Sequence, residues 1–164
     1  MRSFIAVSIK PSDTMRAVFD SFKKFRSVRV TDPDNIHITL KFLGNIPDDY
    51  VENVCKSLKG IRREKFYIQT SGIDAFPNIK RPRTIIINVM GSGIYDLYSD
   101  ISKITGTDEN FRPHITIGRV KEKFTVPDTR INSEKYLIEK VCLYSSLLKS
   151  TGAEYTEICC NQLM

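Results

Sequence analysis

The chain has 164 residues, of which 41% are hydrophobic and 27% charged, as in an ordinary globular protein. This length fits a single domain over residues 1–164 with two lobes and a sizeable core. Lysine and arginine outnumber acidic residues by 25 to 19, and the net charge of +6 favours an anionic partner such as nucleic acid. No apolar stretch has the length of a membrane span, so we expect no membrane partner.

Strands and helices alternate in the first half of the chain. Residues 3–9 have strand periodicity, and Pro11, Ser12 and Asp13 then give a helix start. Apolar residues at helical spacing follow and should face the core: Met15, Val18, Phe19, Phe22 and Phe25. A strand over 36–43 ends at Gly44, after which Pro47 and two aspartates open a second helix.

The second half repeats this order with different residues. Gly91, Ser92 and Gly93 form a turn into a third helix, and a polar loop at 107–110 follows that helix. The predicted strands are rich in β-branched and aromatic residues and cover 66–76, 84–90, 115–120, 134–148 and 155–159. The sequence therefore predicts two similar halves, each containing helices and strands.

The two histidines of the chain lie in matching tetrapeptides. His37-Ile-Thr39-Leu and His114-Ile-Thr116-Ile both fall on predicted strands. Side chains alternate between the faces of a strand, so each histidine shares a face with the threonine two residues later. Two imidazoles that face each other across a cleft would supply an acid and a base for chemistry on a phosphate diester.

The same alternation assigns faces to the basic residues nearby. Lys41 is expected on the face of His37, where it could reach a phosphate, and Arg119 on the face opposite His114. Arg81 and Arg83 lie in the basic loop between two predicted strands and are candidates for contacts with an RNA backbone. A solvated role is the alternative for Lys41, Arg81 and Arg83, and the opposite face argues against a direct catalytic role for Arg119.

The four cysteines lack the spacing of a zinc site or of a small secreted disulfide framework. They are Cys55, Cys142, Cys159 and Cys160. We interpret them as buried or incidental thiols of a cytoplasmic protein. No local pattern supplies metal ligands beside either histidine, so we expect no metal. We also expect no other cofactor, and we expect the protein to be a monomer.

Beyond the two tetrapeptides, the chain resembles the two-histidine phosphoesterases, and among them the RNA 2′,3′-cyclic phosphodiesterases once named 2′-5′ RNA ligases. The resemblance covers nearly the whole chain. It includes Phe4–Val7, Asn35–Gly44, Ala75–Pro77, Arg81–Arg83, Arg112–Val120, Leu143–Ser146 and Tyr155. Many relatives have a tryptophan shortly before the first motif, whereas this chain has none, and Arg29-Val30-Thr31 stands there. Substrate preference is the property that this difference affects.

The resemblance implies a bilobal α+β fold with pseudo-twofold symmetry. Two antiparallel sheets would line a central cleft, with the helices outside. It also implies hydrolysis of 2′,3′-cyclic phosphate RNA ends, such as those of tRNA fragments, to a 2′-phosphomonoester, with 2′-5′ ligation as a minor activity. In these expected roles His37 is the proton donor, His114 the proton acceptor, and Thr39 and Thr116 bind the phosphate. Two alternatives are a non-catalytic module that binds RNA ends and a phosphodiesterase for a small cyclic nucleotide.

Overall fold

The protein is described by a computed structural model over residues 2–107 and 110–164, so the predicted loop at 107–110 lies partly outside the described residues. The strands are β1 (Arg2–Ser8), β2 (Val28–Val30), β3 (His37–Asn45), β4 (Phe66–Phe76), β5 (Thr84–Met90), β6 (His114–Val120), β7 (Lys135–Ile138), β8 (Lys140–Lys149) and β9 (Gly152–Gln162). The helices are α1 (Asp13–Phe22), α2 (Asp48–Lys59) and α3 (Ser92–Thr105), with a 3₁₀ turn at Pro33–Asn35.

The strands form two antiparallel sheets. One has four strands in the order β3-β1-β8-β9, and the other has five in the order β2-β6-β5-β4-β7. Each sheet contains one histidine strand, β3 in the first and β6 in the second. The predicted α+β fold, with two antiparallel sheets and one motif in each, is confirmed.

The two sheets do not correspond to the two halves of the sequence. β2 comes early in the chain but pairs with β6, while β8 and β9 return from the C-terminal part to join β1. The single strand predicted over 134–148 is therefore wrong, because the chain leaves one sheet at Ile138 and enters the other at Lys140. Buried Ile138 and Val141 lie on either side of this break, so hydrophobic periodicity could not reveal it.

The helices cover the backs of the sheets. Ser12 caps α1 as predicted, since its Oγ accepts a hydrogen bond from the Met15 amide at 3.0 Å. One buried core contains residues from both sheets, including Ile5 and Ile38 of one and Ile87 and Ile115 of the other. None of the helices in the described ranges is long and apolar enough to cross a membrane.

The prediction that the cysteines are thiols is wrong. Cys142 and Cys160 face each other across β8 and β9 and form one disulfide, and Cys55 of α2 forms another with Cys159 of β9. The first pair forms because β8 and β9 are neighbouring strands, and the second because α2 contacts β9. Cysteine spacing reveals neither arrangement. Disulfides are rare in the mesophilic cytosol but frequent inside hyperthermophiles, so the cytoplasmic location stays a prediction.

Candidate active site

A cleft of about 620 Å³ between the two sheets contains both motifs. His37 and Thr39 of β3 line it from the four-stranded sheet, and His114 and Thr116 of β6 line it from the five-stranded sheet. The residues between them, Ile38 and Ile115, are fully buried behind. The sequence thus predicted correctly which face of each motif is turned to the cleft, and the volume is that of a small-molecule site.

Both imidazole rings are held in the same way. The Nδ1 atom of His37 lies 2.8 Å from the carbonyl oxygen of Asn35, and that of His114 lies 2.7 Å from the carbonyl oxygen of Arg112. A carbonyl can only accept, so Nδ1 carries the hydrogen in each ring. The Nε2 atom of each histidine is therefore the atom that can accept or release a proton.

The surroundings lower the pKa of both histidines. Burial is the main cause for His37; its hydrogen bond to Asn35 opposes that shift, and the charge of His114 adds to it. Burial also dominates for His114, where the Arg112 carbonyl raises the pKa and the Arg112 charge lowers it. Both rings are consequently biased toward the neutral form, and protonation of one disfavours protonation of the other.

A β-bulge in the first motif changes which side chains reach the cleft. Thr39 is opposite Ala6, but Lys41 is opposite Ile5 and Phe42 opposite Phe4, so Leu40 is an extra residue in the ladder. The bulge shifts the alternation by one residue. Phe42, not Lys41, lines the cleft, and the prediction that Lys41 shares the face of His37 is wrong.

The second motif has a bulge at the equivalent position. Thr116 is opposite Ile86, whereas Gly118 is opposite Ile85, so Ile117 is the extra residue. Arg119 is thereby placed on the cleft face, and the prediction that it lies on the face opposite His114 is wrong. Gly118 makes room for β2, since a Cβ there would lie 2.7 Å from the carbonyl oxygen of Arg29.

Aromatic rings surround His37. The Phe4 ring lies 5.0 Å from the imidazole centroid, and the Tyr155 ring meets the imidazole edge to face at 5.2 Å. Phe4 also stacks on Tyr144 at 5.3 Å. Phe4, Tyr144 and Tyr155 were matched to the family by sequence, but only the fold shows that they form the wall against which His37 packs.

His114 lies beside an arginine and its partners, in contrast to the aromatic surroundings of His37. The Arg112 guanidinium donates to an Asp74 carboxylate oxygen at 2.7 Å and, through Nε, to the Asn88 amide oxygen at 3.1 Å. It also lies 5.0 Å from the centre of the Phe76 ring, whose own centre is 5.1 Å from that of the His114 ring. The hydrogen bond from Arg112 lowers the pKa of Asp74. Arg112 thus links β4 and β5 beside the histidine.

The remaining basic candidates lie outside the cleft lining. Arg81 and Arg83 belong to the loop between β4 and β5; Arg83 directly precedes Thr84, which lines the cleft. Several other lining residues, which sequence reasoning did not assign to the site, come from separate segments: Arg2, Thr31, Ser146, Leu148 and Ala153. No local pattern marks them, since each reaches the cleft only through sheet pairing.

Known proteins resemble this chain in sequence. Residues 7–86, which include the first motif, match the family model described as LigT like phosphoesterase. A protein of Archaeoglobus fulgidus named RNA 2′,3′-cyclic phosphodiesterase is 30% identical over 131 residues, covering 75% of this chain and 74% of that protein. A protein of the same name from Aquifex aeolicus is 28% identical over 169 residues, covering 90% of each.

Solved structures have the same fold over almost the full length. The protein TT0787 of Thermus thermophilus superposes with a TM-score of 0.79 at 25% identity, covering 99% of this chain and 98% of that one. Escherichia coli LigT complexed with 3′-AMP superposes with a TM-score of 0.78 at 23% identity and the same coverage. On the sequence matches and the shared two-sheet architecture, the chain belongs to the LigT-like phosphoesterase family.

Proposed function

We propose that the chain hydrolyses the 2′,3′-cyclic phosphate at an RNA end to a 2′-phosphomonoester, using its two histidines as acid and base without a metal. One observation carries this proposal: His37 and His114 line the same cleft, each with Nδ1 bound to a backbone carbonyl and Nε2 left for proton transfer. The relatives named RNA 2′,3′-cyclic phosphodiesterase give independent support for the substrate.

Neutral His114 takes a proton from water through Nε2 as the water oxygen attacks phosphorus. The bond between phosphorus and O3′ breaks, and protonated His37 gives its Nε2 proton to O3′. His114 ends protonated and His37 neutral, and exchange with solvent resets both. Two groups of one residue type can play opposite roles because the charge of one disfavours protonation of the other.

Hydroxyl and guanidinium groups stabilise the phosphate. Thr39 and Thr116 share the faces of the histidines, so their hydroxyls can donate to the non-bridging oxygens. Arg119 adds a fork of donors that suits a phosphate. Phe42 lines the cleft from the other sheet and is 69% exposed, so its ring offers a surface on which a base can stack.

The positions of the potential metal ligands support a reaction that needs no metal. Within residues 2–107 and 110–164, the one group of three close metal-type donors is Cys142, Glu157 and Cys160, and it includes neither histidine. Two of its sulfurs are joined in a disulfide. The proton transfers above require no further ion.

The same geometry permits ligation as a minor activity. If a 5′-hydroxyl replaces the attacking water, it forms a bond to phosphorus while the bond to O3′ breaks, and a 2′–5′ linkage results. His114 would accept the hydroxyl proton, and His37 would again protonate O3′.

The proposal is tested by incubating the protein with a short RNA that ends in a 2′,3′-cyclic phosphate and with the matching cyclic mononucleotide. We expect both to yield a 2′-phosphate. A 3′-phosphate product would contradict the assigned leaving oxygen. Binding without turnover would favour a non-catalytic module, and turnover of the mononucleotide alone would favour a small-molecule phosphodiesterase.

A further inference from the structure

The tip of the hairpin between β8 and β9 forms one end of the cleft wall. Leu148 lines the cleft although its side chain is 77% exposed, and its cross-strand partner Ala153 lines it too. Leu147, the preceding residue, is 59% exposed but is not part of the cleft lining. Adjacent strand residues face opposite sides, so only Leu148 presents its apolar surface to a bound ligand.

The hairpin is joined to the catalytic region through Asn35. The Asn35 side-chain amide donates to the Ala153 carbonyl at 3.3 Å, while the backbone carbonyl of Asn35 holds His37. Ser146 and Tyr155 are cross-strand partners and both line the cleft between His37 and the hairpin tip. A continuous wall therefore leads from the histidine to Leu148.

Arginines from both sheets surround this end of the cleft. Arg2 and Arg119 line it, and both lie close enough to Tyr155 to lower its pKa against the stronger, opposing effect of burial. Arg29 of β2 reaches the hairpin tip, where its guanidinium would lie 3.8 Å from a Cβ on Gly152. All three are exposed, and none has an ion-pair partner among the residues that the structure describes.

An exposed leucine by itself is ordinary on a protein surface. Here it continues a cleft that already contains a second exposed apolar side chain, Phe42, and it lies among cations without ion-pair partners in the described ranges. Apolar surface for a base, with arginines for the backbone, is the combination that binds single-stranded nucleic acid. A partner protein that binds through an apolar surface fits less well, because it would supply no anions to these arginines.

We propose that Leu148, Arg2 and Arg29 form a subsite for the nucleotide immediately 5′ of the reacting RNA end. Leu148 packs against the base of that nucleotide. Arg2 and Arg29 bind the phosphate that joins it to the terminal nucleoside. This inference rests on the proposed function and adds to it a preference for RNA over a cyclic mononucleotide.

The test compares two substrates, a cyclic mononucleotide and a dinucleotide that ends in a 2′,3′-cyclic phosphate. We expect the wild type to have a higher kcat/KM for the dinucleotide. Leu148→Ala should lower the dinucleotide value about tenfold, through KM, because the base loses most of its apolar contact. The mononucleotide value should not change. Leu147→Ala is the matched control, and it should leave both values unchanged.

The outcomes separate this inference from the proposed function. Wild-type protein that turns over neither substrate overturns the proposed function and the subsite with it. Equal wild-type values for the two substrates overturn only the subsite. The subsite is also overturned if Leu148→Ala lowers kcat/KM equally for both substrates. It is overturned as well if the control Leu147→Ala lowers the dinucleotide value as much as Leu148→Ala does. A wild-type dimer that Leu148→Ala converts to a monomer in sedimentation would assign Leu148 to contact with a second copy and overturn the subsite.

Discussion

Phe42 and Arg119 occupy equivalent positions on opposite walls of the cleft. Each lies five residues after its histidine, and in each strand one extra residue, Leu40 or Ile117, turns the side chain into the cleft. The two bulges are therefore part of the pseudo-twofold relation between the motifs. Because the equivalent residues differ, one wall offers an aromatic ring and the other a guanidinium.

The bulges predict different effects for two basic residues. Arg119→Met should lower kcat/KM by about 10²-fold, the usual effect of removing one preorganised donor from a developing charge. Lys41→Met should change it little, since Lys41 pairs opposite Ile5 on the other face. Steady-state kinetics with one cyclic-phosphate substrate measures both. Equal losses in the two variants would contradict the assignment of faces.

We expect a bell-shaped dependence of kcat/KM on pH, with its maximum at or below about pH 6.5, the ordinary pKa of histidine. The base must be neutral and the acid protonated. Burial lowers the pKa of both, so the pH at which each loses its proton moves to the acid side. An optimum above about pH 8 for wild-type protein would argue against histidine as the acid.

The two limbs of that profile should belong to different histidines. In the residual activity of His114→Ala, the fall at acid pH should disappear because no base remains to be protonated. In His37→Ala, the fall at alkaline pH should disappear instead. The assignment of donor and acceptor is reversed if each variant loses the other limb.

The disulfides predict the number of titratable thiols. Protein denatured without reductant should react with no thiol reagent, and reduced protein should show all four cysteines. Replacing both cysteines of the Cys142–Cys160 pair by serine should lower the free energy of unfolding by about 2–5 kcal/mol, which thermal or denaturant unfolding measures. Four reactive thiols in the unreduced protein would restore the prediction made from sequence.

Activity should survive exhaustive chelation, because the proposed proton transfers use only His37, His114 and water. The measurement is turnover of the cyclic-phosphate RNA after dialysis against a chelator, with untreated protein as the control. Loss of turnover that one divalent metal restores would contradict the mechanism.

Local pattern was sufficient for much of the fold. Strands over 66–76 and 84–90 were predicted with the bounds that the structure has, and the Ser12 cap marked the start of α1. These features depend on residues close in sequence. The pairing of Ile138 with one sheet and Val141 with the other depends on the path of the whole chain, which a local pattern does not contain.

The candidate site also combines features that a local pattern predicts with features that depend on the path of the whole chain. His37 and Thr39 were assigned to one face correctly, since they precede the bulge. Lys41 and Arg119 were assigned wrongly because each follows an extra residue, and nothing in Leu40 or Ile117 distinguishes a bulge from a regular strand position. Residues such as Leu148 and Arg2 reach the cleft only through pairing between distant strands.

The most direct test of the central claim measures turnover of a cyclic-phosphate RNA by His37→Ala and His114→Ala. Circular dichroism and thermal unfolding should first establish that both variants fold like the wild type. We expect each substitution alone to lower kcat by about 10²–10⁴-fold, the usual share of one general acid or base. Near-native turnover by either folded variant would contradict a mechanism in which the two histidines act as a pair.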